Sequence, residues 1–179
     1  GKAFELPRVR GGGETMTPRT FPEQPTFADD SERLVWAALR GGLRPQDVLL
    51  HGVRITDPTH GEIEIDLLVL MPDVGAAVIE VKGGHVTYVG GQWHQGDADG
   101  THDIDPVRQA RHGVYALREF LQTGPAWSRG PVRAAWLIAL PYTPVSGALG
   151  PQARRDLILD REDVASTEKG GIAGRVYDR

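Results

Sequence analysis

The chain has no cysteine among its 179 residues, which excludes disulfides, thiolate metal sites and a cysteine nucleophile. Its chemistry must come from carboxylates, histidines, lysines and hydroxyls. Long apolar runs are missing too. The longest, Leu67 to Met71 with its flanks, is far too short to span a bilayer. No basic segment followed by an apolar one opens the chain, so a cytoplasmic protein without membrane association is the expectation. The chain begins with Gly1 rather than Met, which reads as an altered start or as a piece of a longer protein. Nor is there a surplus of positive charge: 20 Lys and Arg stand against 24 Asp and Glu, a net charge of -4. That excludes a generally basic nucleic-acid binder and leaves room for a local basic patch.

What is present suits a globular domain. Hydrophobic residues make up 40% and charged residues 25%, enough to bury a core. The length favours a single domain. Residues 1–28 carry Pro7, Pro18, Pro22 and Pro25 and the run Gly11-Gly12-Gly13 without apolar periodicity, and read as an extended arm or linker. Residues 166–179 hold Gly170, Gly171 and Gly174 among charges and read as a polar tail. The domain proper is expected over residues 29–165.

Asp29-Asp30-Ser31-Glu32 opens a helix whose apolar stripe is Leu34, Val35, Ala38 and Leu39, and Gly41-Gly42 stops it. Asp47 to Ile55, Glu62 to Met71 and Gly75 to Gly84 read as strands. Pro72-Asp73-Val74-Gly75 is a tight turn that makes the last two an antiparallel hairpin. His85 to Val89 and Gln92 to His94 suggest a smaller hairpin, followed by a polar loop over His94 to Asp103. Pro106 begins a second helix capped by Asp105; Val107, Ala110, Val114, Leu117 and Leu121 give it spacings of 3, 4, 3 and 4. Arg133 to Leu140 is a buried strand and Leu157 to Leu159 a short last one. The order predicts an α/β fold of mixed α+β character, with a central mixed sheet flanked by helices.

Strand alternation places the chemistry. In Glu62 to Met71, the residues Ile63, Ile65, Leu67, Val69 and Met71 share one apolar face. Asp66 lies on the other, where it turns from charged to apolar. In the next strand Ala76, Val78, Glu80 and Lys82 share a face. Charges within such strands are costly unless paired, hydrogen-bonded or bound to a metal. If the hairpin stacks its acidic faces, Asp66 and Glu80 converge beside Lys82. Such a pair suits a hard divalent cation, Mg²⁺ or Mn²⁺, on oxygen ligands. The bland alternative is a surface ion pair between Glu80 and Lys82.

Glu32 on the first helix, GEIEIDLLVL with Asp66, VIEVKGG with Glu80 and Lys82, and DPVRQA with Gln109 together resemble the nuclease-related domain (NERD) family, a branch of the PD-(D/E)XK nuclease superfamily. The resemblance covers roughly residues 29–160. It implies a restriction-endonuclease-like mixed sheet flanked by helices. By the same resemblance Asp66 and Glu80 bind the metal with the Val81 backbone carbonyl as a third ligand. Lys82 orients or deprotonates the attacking water, or stabilises charge on phosphorus. Glu32 acts through a water on the metal, and Gln109 steadies the site or the substrate. A helicase or other DNA-processing module is an implied neighbour. Related exonucleases carry Gln-x-x-x-Tyr in this second helix; here the matching position is Gly113 and the nearest tyrosine is Tyr115.

Each peripheral position has a plainer reading beside the functional one. Glu32 also fits a capping box with Asp29. Gln109 lies off the apolar stripe of its helix, where solvent-exposed glutamines are usual. Arg108, Arg111, His112, Arg118, Arg129 and Arg133 form a basic group; Arg108, Arg111 and Arg118 are candidates for phosphate contacts, or simply a solvated face. Trp93 could stack a base from the small hairpin or fill its minicore. The six histidines show no zinc spacing. The reading is a Mg²⁺- or Mn²⁺-dependent nuclease domain acting on DNA, single- or double-stranded. The alternative is a catalytically inert nucleic-acid-binding or docking module of the same fold.

Overall fold

The computed structural model describes residues 17–125, 130–166, 168 and 171–177. Asp29 caps helix α1 (Asp30–Gly42), its carboxylate accepting from the Ser31 and Glu32 backbone N–H groups. The buried stripe of α1 is Val35, Trp36 and Leu39. The strands, in chain order, are β1 (Arg19–Phe21), β2 (Val48–Asp57), β3 (Gly61–Met71), β4 (Gly75–Val81), β5 (His85–Val89), β6 (Gln92–Asp97), β7 (Gly100–Ile104), β8 (Ala134–Ala139) and β9 (Ile158–Leu159). Helix α2 (Pro106–Thr123) has proline in its first turn and Asp105 as its cap. Two short helices, α3 (Arg161–Ala165) and α4 (Gly171–Tyr177), end the described chain.

The main sheet has the order β1-β2-β3-β4-β8-β9. Strands β2, β3 and β4 are antiparallel neighbours, β8 and β9 join parallel to β4, and β1 pairs parallel with β2. This is the mixed α/β sheet the sequence predicts, flanked by helices. One face packs Leu49, Leu67, Val69, Ala77, Ile79 and Leu137 against α1 and α4. The other packs Ile65, Leu68, Ala76 and Val78 against Val114, Ala116 and Leu117 of α2. Gly113 permits that close approach, since a Cβ there would lie 3.0 Å from Val78 and 3.3 Å from Ile65. Strands β5, β6 and β7 form a second sheet, whose Val86 and Trp93 pack with Val107, Ile138, Leu140 and Ile158.

Several expectations change. The single apolar face expected of β3 divides: Leu67, Val69 and Met71 face α1, whereas Ile63 and Ile65 face α2. Alternation breaks at the level of Gly52 and Asp66, where Gly52 adopts a left-handed φ of 64°. Within the expected arm, Arg19–Phe21 is a strand and Phe27 packs edge-on against Trp36 and His51. The remainder of the arm, residues 1–16, lies outside the described residues. Within the expected polar tail, α4 buries Ile172, Ala173 and Val176. A two-turn helix is too short to display its period, and its glycines imitate a linker. The expected polar loop contains β7, held by pairing with β6; its residues are exposed except Ile104, so no alternation announced it.

Candidate active site

Strands β3 and β4 pair from Met71–Gly75 to Leu67–Ile79 and then part. Strand β3 continues along β2 to Gly61, and β4 along β8 to Val81. The next residues on the parting strands are Asp66 and Glu80. In place of a ladder bond, an Asp66 carboxylate oxygen accepts the Val81 backbone N–H at 2.9 Å. Glu80 is only 5% exposed, and Lys82 Nζ lies 3.3 Å from its Oε1. The convergence expected of Asp66, Glu80 and Lys82 is therefore present: the two carboxyls are close enough to share a proton.

Two acids meeting in an apolar fork are hard to ionise together. Burial raises the pKa of Glu80 well above the usual carboxylate range, and the charge of Asp66 raises it further. Burial raises Asp66 as well, opposed by the Val81 N–H and the Lys82 ammonium. Glu32 comes from the first turn of α1. Its pKa is pushed up to about 7, first by burial and then by Asp66, Asp29 and Glu64. Asp29 performs the capping, while a Glu32 carboxylate oxygen lies 3.6 Å from His51 Nε2. Glu32 thus belongs electrostatically to the fork.

His51 escaped the sequence reading, which tested histidines only for zinc spacing. It pairs across the β2–β3 ladder with Leu67, the residue after Asp66, and Phe27 holds its ring edge-on at 4.7 Å. Burial lowers its pKa against the pull of Asp66 and Glu64. The available signal was the β-strand register: a histidine facing α1 beside Asp66, the acid of the next strand nearest its apolar half.

The outer residues separate into two groups. Gln109 and Arg108 share a depression of about 480 Å³ with Lys82. Arg111 and Arg118 line a different hollow, against Ala134–Trp136 at the start of β8, whereas Glu80 and Lys82 lie at the other end of the paired β4. There Arg118 donates to the Ala134 carbonyl at 2.9 Å and Arg111 is hydrogen-bonded to Tyr115. These two arginines therefore line a hollow separate from the one that holds Lys82. Trp93 is 7% exposed and packs edge-on against Tyr88, with ring centroids 5.3 Å apart. It fills the core of the small sheet and offers no face to a base. Arg129 lies outside the described residues. Tyr115 is 53% exposed, on the Arg111 side of α2. The Gly113 position packs too tightly against the sheet to admit the tyrosine of related exonucleases.

The nuclease-related domain model matches residues 28–139. The chain belongs to the nuclease-related domain family. The match runs from just before α1 to the end of β8, so it contains Glu32, Asp66, Glu80, Lys82 and Gln109; β9, α3 and α4 lie beyond it. No curated protein and no solved structure matches the chain. Among the described residues no helix is long and apolar enough to cross a membrane. Nor does any cluster of three or more His, Asp or Glu side chains among them stand at metal-holding distance.

Proposed function

We propose that this nuclease-related domain hydrolyses DNA phosphodiester bonds with the help of Mg²⁺ or Mn²⁺. The observation that carries the reading is the convergence of Asp66 and Glu80 beside Lys82 at the point where β3 and β4 separate. Two desolvated carboxylates that resist joint ionisation are stabilised by a cation. Their hard oxygen donors suit an ion that keeps part of its water shell, which is why two carboxylates suffice. Asp66 and Glu80 would hold it, with the Val81 backbone carbonyl as a third oxygen. When bound, such an ion stabilises charge on the phosphoryl oxygens and lowers the pKa of water.

The chain's own groups divide the remaining work. Lys82, tethered 3.3 Å from Glu80, is placed to orient the attacking water and to offset charge on phosphorus in the transition state. Glu32, with a pKa of about 7, exchanges a proton near neutrality, as a relay to the attacking water requires. His51, 3.6 Å from Glu32, flanks it on the β2 side. Gln109, on the rim beyond Lys82, steadies the substrate strand.

A second reading, an inert nucleic-acid-binding or docking module within a larger DNA-processing protein such as a helicase, is favoured by one observation. Only two acids meet directly at the fork, and no three-acid cluster exists among the described residues. Incubation with single- and double-stranded DNA across Mg²⁺ and Mn²⁺ concentrations, beside Glu80→Ala, separates the two. Cleavage by the wild type alone supports the nuclease. Equal cleavage by both proteins means a contaminant and favours the binding module.

A further inference from the structure

The depression shared by Lys82 and Gln109 opens between the β2–β3 turn and the N-terminal half of α2. His60 enters it from the turn, and Arg108 and His112 from the helix. The rings of His60 and His112 stand 4.5 Å apart between centroids, tilted by 35°. The acids nearby are already engaged. Asp57 accepts the Thr59 and His60 backbone N–H groups at 2.7 and 3.0 Å and lies 3.5 Å from His60 Nδ1. Asp105 caps α2 through the Arg108 N–H, and Asp103 lies 3.1 Å from His94. The wall therefore presents four cationic or protonatable groups, Lys82, Arg108, His60 and His112; Glu80 answers Lys82 and Asp57 lies beside His60, while Asp103 and Asp105 are engaged by His94 and the start of α2. Their crowding is unfavourable: partial burial lowers the pKa of His112, and the charges of His60 and Arg108 lower it further. An anion placed between them would relieve that repulsion. Imidazoles and a guanidinium beside a lysine suit a phosphate better than a metal, since protonated rings donate and do not ligate.

We propose that His60, His112 and Arg108 bind a phosphate of the DNA strand neighbouring the one at the fork, so that the strand leaves Lys82 along the N-terminal half of α2 toward the β2–β3 turn, with a grip that tightens as the imidazoles gain protons. This rests on the nuclease reading and gives its substrate a path. The groups facing the pair are Asp57 from the turn, Arg108 and Asp105 from α2 and its cap, Asp103 from β7 and Lys82 after β4. None of these acids is free to replace the strand.

The test uses the full chain in chelator, so that nothing is cut, and follows the anisotropy of a labelled single-stranded oligonucleotide. Glu32 and Glu80 lose protons over the same range and also weaken binding as pH rises, so the decisive quantity is the difference between wild type and variant. His112→Gln, and separately His60→Gln, should weaken binding by about threefold to tenfold near pH ~5.5 and by less than about twofold near pH ~8. In a parallel titration followed by NMR, the oligonucleotide should raise the pKa of both imidazoles. Inorganic phosphate raising them equally would mark a free-phosphate site and overturn the strand path. Variants that follow the wild type at both pH values also overturn it. If the wild type then still cleaves with Mg²⁺ and Glu80→Ala does not, the nuclease reading survives alone. A pH-dependent difference without cleavage supports the strand path and overturns turnover.

Discussion

Two of the places where the domain buries an acid treat it in opposite ways. At the corner where α1 meets β2, Asp47 is fully buried, yet its carboxylate accepts from the Arg44 backbone N–H, the Arg44 guanidinium and the Tyr177 hydroxyl, the last at 2.7 Å. The same guanidinium forms a two-pronged pair with Asp73 in the β3–β4 turn, and it lies 4.7 Å above the Tyr177 ring. That corner ties α1, the hairpin and α4 together, with every acidic oxygen answered by a donor. At the fork, by contrast, Asp66 and Glu80 face one another with one backbone N–H and one lysine between them. Satisfied burial is structure. Burial left short of donors is tolerated where a ligand completes it.

The largest effect should follow from breaking the satisfied corner. Asp47→Ala leaves Arg44 and Tyr177 without their buried acceptor, and losing one partner of a buried pair costs about 3 kcal/mol or more. Chemical denaturation should show that loss, while any response of the protein to Mg²⁺ is retained. If Asp47→Ala also removes the Mg²⁺ response, the two regions are not independent and the contrast fails.

At the fork the corresponding change should affect chemistry far more than folding. Lys82→Ala removes the cation that the proposed hydrolysis would use to stabilise its transition state, a loss typically worth about 10²- to 10³-fold in rate. Metal affinity should hold, because an ammonium cannot be a ligand. Calorimetry showing that Lys82→Ala no longer binds Mn²⁺ would contradict that division of labour.

How much of this contrast the sequence displays depends on whether a residue's partners are local. The hairpin turn, the apolar strands and the Glu80-x-Lys82 spacing are near neighbours in sequence, so Asp66, Glu80 and Lys82 could be brought together on paper. His51 reaches the fork only through its register against β3. Tyr177 reaches Asp47 across 130 residues. Trp93 and Arg118 show the reverse difficulty. An aromatic or basic residue reads alike whether it faces solvent or the second sheet, and only packing decides. The divided face of β3 hinges on one left-handed glycine, Gly52, which no alternation rule anticipates.

A smaller effect distinguishes the two regions by pH. The folded-state pKa values of Glu80 and Glu32 are raised, so the stability tied to their protons is present below the unfolded value of 4.5. It is lost as pH rises toward about 7 for Glu32, and higher still for Glu80. In chelator, the wild type should therefore melt at lower temperature at mildly alkaline pH than near pH ~5, by a few degrees. Glu80→Gln, which keeps a neutral side chain at every pH, should flatten that decline. A decline of equal slope in both proteins would place its origin away from the fork.

The smallest expected effect is the one that most directly asks whether Asp66 and Glu80 share an ion. A ligand bound only by the folded state adds RT ln(1 + [L]/Kd), so a site with Kd of about 1 mM gains about 1.4 kcal/mol from about 10 mM Mg²⁺. For a domain of this size that raises Tm by a few degrees. Asp66→Asn keeps the shape of the side chain and removes one of the two charges. Without metal, at mildly alkaline pH where Glu80 ionises, it should melt slightly higher than the wild type, because the repulsion felt by Glu80 is gone. With metal it should lose most of the Mg²⁺-dependent rise, because one anionic ligand is gone as well. The opposite signs matter: a merely structural Asp66, accepting the Val81 N–H as Asp47 accepts its donors, would lower Tm on substitution and leave the metal response alone. Thermal melts of both proteins with and without Mg²⁺ and Mn²⁺ decide between them, and identical responses to the ions would mean that the two carboxylates do not hold one together.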